Sequence, residues 1–145
     1  MKKVLLTALF VVTGWFMTIS FANSLNESAQ NVTIKEPEIH IVAVNNQLAI
    51  AAMTLDNKSS HIVTLIAANT PAASETQLHQ IIDRKMVQVK SIQIKPHGED
   101  TLQANGFHIM LMGINPPLKT GDVVPLTLIF SDGSSLNVKA KVDKV

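Results

Sequence analysis

An all-β sandwich or barrel of about eight short strands is the fold this sequence predicts, and three observations predict it. Segments of seven to ten residues rich in Val, Ile, Leu and Thr recur along the chain, and such residues suit a pleated, half-buried surface. Turn clusters separate them: Asn45-Asn46-Gln47, 56–60 (DNKSS), 96–100 (PHGED) and Ser131-Asp132-Gly133-Ser134. No stretch after the N-terminal apolar run carries a helical period, and there is no internal repeat.

The strands follow in order. Residues 38–44 (EIHIVAV) and 48–55 (LAIAAMTL) flank the first turn cluster, and 61–68 (HIVTLIAA) precede a loop, NTPAAS. Residues 76–82 (TQLHQII) alternate, with His79 and Ile81 on one face and Leu78, Gln80 and Ile82 on the other. Asp83-Arg84-Lys85 turns the chain into 86–95 (MVQVKSIQIK), whose phase slips at Ser91-Ile92, the mark of a bulge or of a break between two strands. QANG (103–106) leads into 107–114 (FHIMLMGI), and NPPLKTGD (115–122) is a surface loop. Residues 123–130 and 135–142 close the chain as a hairpin.

The ends of the chain set its class. Residues 1–22 read as a secretory signal peptide: Lys2 and Lys3, an apolar run from Val4, then Ser20 and Ala22 at positions −3 and −1 of a cut before Asn23. The competing reading is a retained membrane anchor, since 4–22 is 19 residues, close to a spanning length; Gly14, Thr18 and Ser20 favour cleavage. Residues 23–36 are polar and lack period, a flexible leader or a weak first strand through 32–34, and 37–145 form the single domain. Without Lys2 and Lys3 the 12 basic residues fall to 10 against 11 acidic ones, a net charge of −1. That balance offers no electrostatic footprint for nucleic acid or an anionic membrane. Cysteine is absent, which excludes a disulfide framework, a lipid-modified cysteine, a thiolate ligand and a blue-copper centre. A soft metal ligand in this chain must be methionine.

His108, Met110 and Met112 alternate with Phe107, Ile109 and Leu111 in FHIMLMG, so a strand points the imidazole and both thioethers the same way. Positions i and i+2 lie about 6.7 Å apart, within reach of a common point for long side chains. Imidazole plus thioether suits Cu(I), a soft ion. The 79–86 hairpin offers further donors, with His79 and Met86 flanking a short turn and expected opposite each other on its two arms.

The block LHQIIDRKM…GFHIMLMGINPPLKTGDVVPLTLIF resembles the periplasmic copper chaperone family PCu(A)C. That family carries H-x10-M-x21-H-x-M, followed by a proline-containing loop, a lysine, Gly-Asp and a strand. Here 21 residues separate Met86 from His108, His108-Ile109-Met110 supplies H-x-M, and Lys119, Gly121 and Asp122 follow. Six residues, not ten, separate His79 from Met86, a shorter hairpin tip. A histidine- and methionine-rich tail that binds Cu(II) in some members of that family has no counterpart in the closing KAKVDKV, so no second copper site is expected. The resemblance spans roughly 37–142 and implies a cupredoxin-like (Ig-like) antiparallel sandwich, a periplasmic location and one Cu(I) per chain on His79, Met86, His108 and Met110. It also implies delivery of copper to the CuA centre of cytochrome c oxidase subunit II, alongside Sco-like thiol proteins.

Other residues take plainer readings. Met53 is core filler, Met112 shares the face of His108 and Met110 but lies outside the family pattern, and His40, His61 and His97 are surface or capping histidines. No G-x-S-x-G elbow, H-E-x-x-H helix or phosphate-cradling glycine loop exists, so no enzyme is expected. Two other functions use the same residues. An exported interaction module would pack the His/Met face as core or as a docking patch, with the donor atoms well apart. A copper storage or resistance protein would hold several ions per chain.

Overall fold

The computed structural model describes residues 27–42 and 47–143. The signal-peptide segment 1–22 lies outside the described residues. After a single helical turn, α1 (Ser28–Asn31), come ten strands: β1 (Val32–Ile41), β2 (Leu48–Asn57), β3 (Val63–Asn69), β4 (Ala73–Ile82), β5 (Lys85–Gln88), β6 (Ile92–Ile94), β7 (Gly98–Leu102), β8 (Phe107–Ile114), β9 (Val123–Phe130) and β10 (Ser135–Asp143). The all-β expectation holds, with ten strands rather than about eight. The phase slip at Ser91 is a true break, between β5 and β6. The other addition, β7, falls on a charged segment expected as turn: Gly98 to Leu102 pair with Asn57 to Met53 of β2. It is anchored by ion pairing of Lys35 with both Glu99 and Asp56. Partner strands, not local pattern, make it a strand.

The hydrogen-bonded path runs β5-β4-β8-β2-β1-β10-β9-β3-β6, with β7 also on β2. It folds over as a β-sandwich around Ile39, Leu55, Leu65, Ile92, Ile109, Leu111, Leu126, Leu128 and Phe130, all fully buried. The ends of the path meet where Thr76 Oγ1 on β4 donates to the Ala68 carbonyl on β3. All ladders between described strands are antiparallel except β1–β10. That parallel pair requires the long connection through the whole domain.

The expected leader is, from Ser28 onward, part of this fold. Val32 is buried in the core, and β1 pairs with β2 from Val32 to Asn57. The helix's first amides would have no intrahelical partner; Ser28 N donates to Asp132 Oδ2 (2.9 Å) and Ala29 N to Ser134 Oγ (3.0 Å). The β9–β10 turn thus caps the helix from a distance in sequence. Residues 28–36 are therefore packed into the fold, because residues polar in sequence are satisfied by distant partners. Among the described residues no helix is long and apolar enough to cross a membrane.

Candidate metal centre

The site is built on neighbouring strands β5, β4, β8 and β2. In the β4–β8 ladder His79 faces His108, Gln77 faces Met110 and Glu75 faces Met112. These six share one side of the sheet. The alternate positions face the other way: Leu78, Ile109 and Leu111 belong to the core, and Thr76, opposite Leu111, is half-buried. Ile50 of β2 extends the row past Met110, and Leu48 extends it past Met112. His108 is fully buried, His79 and Met110 nearly so at 8% and 7% exposed, and Met112 is half-buried.

The hairpin corrects one expectation. Ile82 pairs with Lys85, so His79 faces Gln88 and Met86 faces Ile81. Met86 shares the face of His79 but lies two residues along, toward the hairpin tip. The cause is the turn: Asp83 and Arg84 both have positive φ, 51° and 63°, the conformation of a two-residue type I′ turn. A tip this tight fixes the register without a bulge. Met86 sits on the edge strand, 47% exposed. The structure therefore brings His79, His108 and Met110 together as buried neighbours and holds Met86 at the rim.

The two imidazoles lie edge to face, with ring centres 5.6 Å apart and planes at 75°. Their hydrogen bonds settle which nitrogens bear protons. His108 Nδ1 meets the Gly106 carbonyl at 3.2 Å; a carbonyl only accepts, so Nδ1 carries the hydrogen and Nε2 keeps its lone pair. His79 Nε2 meets Gln77 Oε1 at 2.8 Å, and Gln77 Nε2 donates to Glu75 Oε1 at 2.6 Å. The carboxylate orients the amide, so its oxygen faces His79, which donates from Nε2 and keeps its lone pair on Nδ1. The two remaining nitrogens, His79 Nδ1 and His108 Nε2, are buried with no hydrogen-bond partner. Buried polar atoms are nearly always paired, and among the described side chains the two exceptions belong to facing residues, each bearing a lone pair. With metal–nitrogen bonds of about 2 Å, rings at this spacing can share one ion, and the Met110 thioether adjoins them in the next row.

Burial lowers the pKa of both rings. For His79 the neighbouring His108 lowers it further; for His108 the Gly106 carbonyl offsets part of the effect. Both are therefore held neutral at neutral pH, the state in which imidazole binds metal. No group of three or more His, Cys, Asp or Glu side chains is gathered for a metal among the described residues. The sulfur donor beside the two imidazoles is Met110, opposite Gln77 in the next row of the ladder. Glu75, Gln77 and Gly106 form an orienting shell that the sequence reading missed. The signal was present: E-x-Q-x-H places Glu75, Gln77 and His79 on one strand face.

Fold and site together define a small β-sandwich with facing buried histidines and a buried methionine on one sheet. The chain belongs to the LpqE-like family, whose model, described as "Putative lipoprotein LpqE-like", matches residues 30–142. It is 34% identical over 107 residues to "Putative lipoprotein Lxx21020" of Leifsonia xyli subsp. xyli, covering 70% of this chain and 64% of that protein. The chain thus spans less than two thirds of that relative's length. Among solved structures, the Cu(I) form of DR1885 from Deinococcus radiodurans superposes with a TM-score of 0.68 at 34% identity, covering 81% of this chain and 80% of that one. The copper-bound PCuAC domain of PmoF2 superposes with a TM-score of 0.69 at 19% identity, covering 79% and 94%; at that identity the likeness is one of fold, and the cupredoxin-like sandwich is common to all three.

Proposed function

We propose that this chain is an exported copper chaperone of the PCu(A)C kind, carrying one Cu(I) on His79, His108, Met110 and Met86. The single observation that carries the reading is the pair of facing, buried imidazoles whose lone-pair nitrogens lack partners beside the Met110 thioether. Neutral nitrogen and thioether donors suit a soft monovalent ion. The 34% identity to DR1885, solved with Cu(I), supports the same cargo. The chain works as a carrier, not an enzyme, in the periplasm. Its acceptor is the CuA centre of cytochrome c oxidase subunit II or a Sco-like partner, consistent with ligands that are neutral and displaceable.

Titration of the folded chain against a competing Cu(I) chelator tests this. The expected result is one ion per chain, with affinity falling at least tenfold in His108→Ala and in Met110→Ala. Unchanged affinity in both variants removes the proposal, and several ions per chain turn it into storage. Transfer to a purified subunit II domain, followed by NMR, tests the delivery step. A docking function has its own supporting observation: Ile82, Met86 and Val87 are exposed apolar side chains on one hairpin. If His79, His108 and Met110 variants all leave copper behaviour unchanged, that reading stands alone.

A further inference from the structure

The hydrogen bonds around His79 extend beyond the metal-facing side chains. We infer that Gln77, itself held by Glu75, is a positioning residue that locks His79 in its Nε2–H tautomer and so leaves Nδ1 as the lone-pair nitrogen beside His108. The inference deepens the copper reading and rests on it for its purpose, but its geometry stands independently.

Neutral imidazole exists as two tautomers of similar energy, and the partner of one nitrogen decides which atom can ligate. Histidines used as ligands usually have this choice made by a neighbouring acceptor. For His108 the acceptor is backbone, the Gly106 carbonyl at 3.2 Å. For His79 it is a side-chain amide, at 2.8 Å, and an amide alone decides nothing: turned over, it would present its NH2 group and favour the opposite tautomer. Glu75 removes that freedom, because its carboxylate oxygen accepts from Gln77 Nε2 at 2.6 Å. The alternation of β4 puts all three side chains on one face in order, with Glu75 in water, Gln77 half-buried and His79 buried. The relay thus sets a buried proton from an exposed carboxylate. The two rings are consequently set oppositely, with Nδ1 free on His79 and Nε2 free on His108. Opposite tautomers let two rings on directly paired positions of adjacent strands turn their lone pairs into the space between them.

Long-range 1H–15N correlation spectra of the 15N-labelled, copper-free protein read the tautomer of each ring. The expected result is Nε2–H for His79 and Nδ1–H for His108. Gln77→Leu should move the His79 nitrogens toward averaged shifts and leave His108 unchanged. Glu75→Leu, at an exposed position that does not endanger folding, should do the same to a smaller extent, and Glu75→Gln, whose amide can turn over just as that of Gln77 can, should not restore the wild-type pattern. Cu(I) affinity should fall about 10–100-fold in Gln77→Leu, the usual cost of losing an orienting partner. Predominant Nδ1–H on His79 in the wild type, or populations indifferent to both Gln77→Leu and Glu75→Leu, would overturn the inference. Wild-type protein with the expected tautomers but no Cu(I) binding would sink the chaperone reading and leave the relay established.

Discussion

Replacing His108 by Leu should make the copper-free protein more stable while abolishing its response to copper. His108 is fully buried, and its Nε2 has no partner. An unmet buried polar atom costs about 1–3 kcal/mol, which Leu, of similar volume, removes. The loss on the other side is the Nδ1–H bond to the Gly106 carbonyl, worth about 0.5–1.5 kcal/mol. That carbonyl is not stranded, because it also accepts from Ile81 N at 3.2 Å. The difference is a net gain of about 1 kcal/mol at pH 7.5. Acid should widen it. Burial holds the His108 pKa below its ordinary 6.5 in the folded chain. Below pH 6.5 the unfolded chain binds a proton that the folded chain refuses, so wild-type stability falls as pH falls from 6.5 to the folded-state value. The maximal slope is about 1.4 kcal/mol per pH unit for each such histidine. The variant loses one of these two contributions. Urea unfolding at pH 7.5 and 5.5, with and without Cu(I), reads all of this. A variant more than about 1 kcal/mol less stable than wild type at pH 7.5 without copper, beyond what the lost hydrogen bond accounts for, would refute the claim that this nitrogen is kept at a cost. A gap that does not grow at pH 5.5 would refute the burial argument.

Three further outcomes are expected. Met110→Leu keeps the apolar volume and should leave urea stability within about 1.5 kcal/mol of wild type, while Cu(I) affinity measured by chelator competition falls at least tenfold; retained affinity would remove the thioether from the donor set. Gly113→Ala meets φ +63° and drives its Cβ into Ser74 Oγ, so thermal unfolding should show a loss of about 2–3 kcal/mol from the left-handed backbone and the displaced serine, part of it recovered in the double variant with Ser74→Ala. Arg84→Gly relieves a positive φ of 63° in the β4–β5 turn and should stabilise by about 1 kcal/mol without changing Cu(I) affinity.

What could be read from the sequence depended on whether the signal was local. β8 and the shared side of His108, Met110 and Met112 follow from strict alternation in seven residues, and the structure keeps them. The β4–β5 hairpin was visible as a turn cluster, but its register was not. Asp83-Arg84 lacks the glycine that normally advertises a type I′ turn, and that turn decides that Gln88 rather than Met86 faces His79. β7 was invisible because its residues are charged and become a strand only through β2, and the place of residues 28–31 in the fold was hidden because Asp132 and Ser134 cap a helix more than a hundred residues away. The tautomers of the two rings could not be read locally either, since they depend on which carbonyl and which amide the fold brings to each nitrogen.

The donors are distributed unequally over the sheet, and this bears on what a carrier requires. His108 and Met110 lie on β8, hydrogen-bonded on both sides by β4 and β2 and buried from residue 108 to 111. His79 lies on β4, one strand nearer the edge. Met86 lies on β5, a four-residue edge strand with every residue exposed. Strands flanked on both sides open only with large parts of the domain, whereas short exposed edges open cheaply. The interior pair and Met110 can therefore hold an ion in fixed geometry, with the energetic penalty of their unpaired nitrogens repaid when the ion binds. Met86 can leave and return without disturbing the core. An acceptor approaching from the edge would meet the most displaceable ligand first, and shared ligation could proceed from there inward. A site built wholly on β8 and β4 would bind but release slowly, and one built wholly on β5 would exchange but not protect. On the proposed copper-carrier reading, the gradient from centre to edge supplies both properties in one sheet.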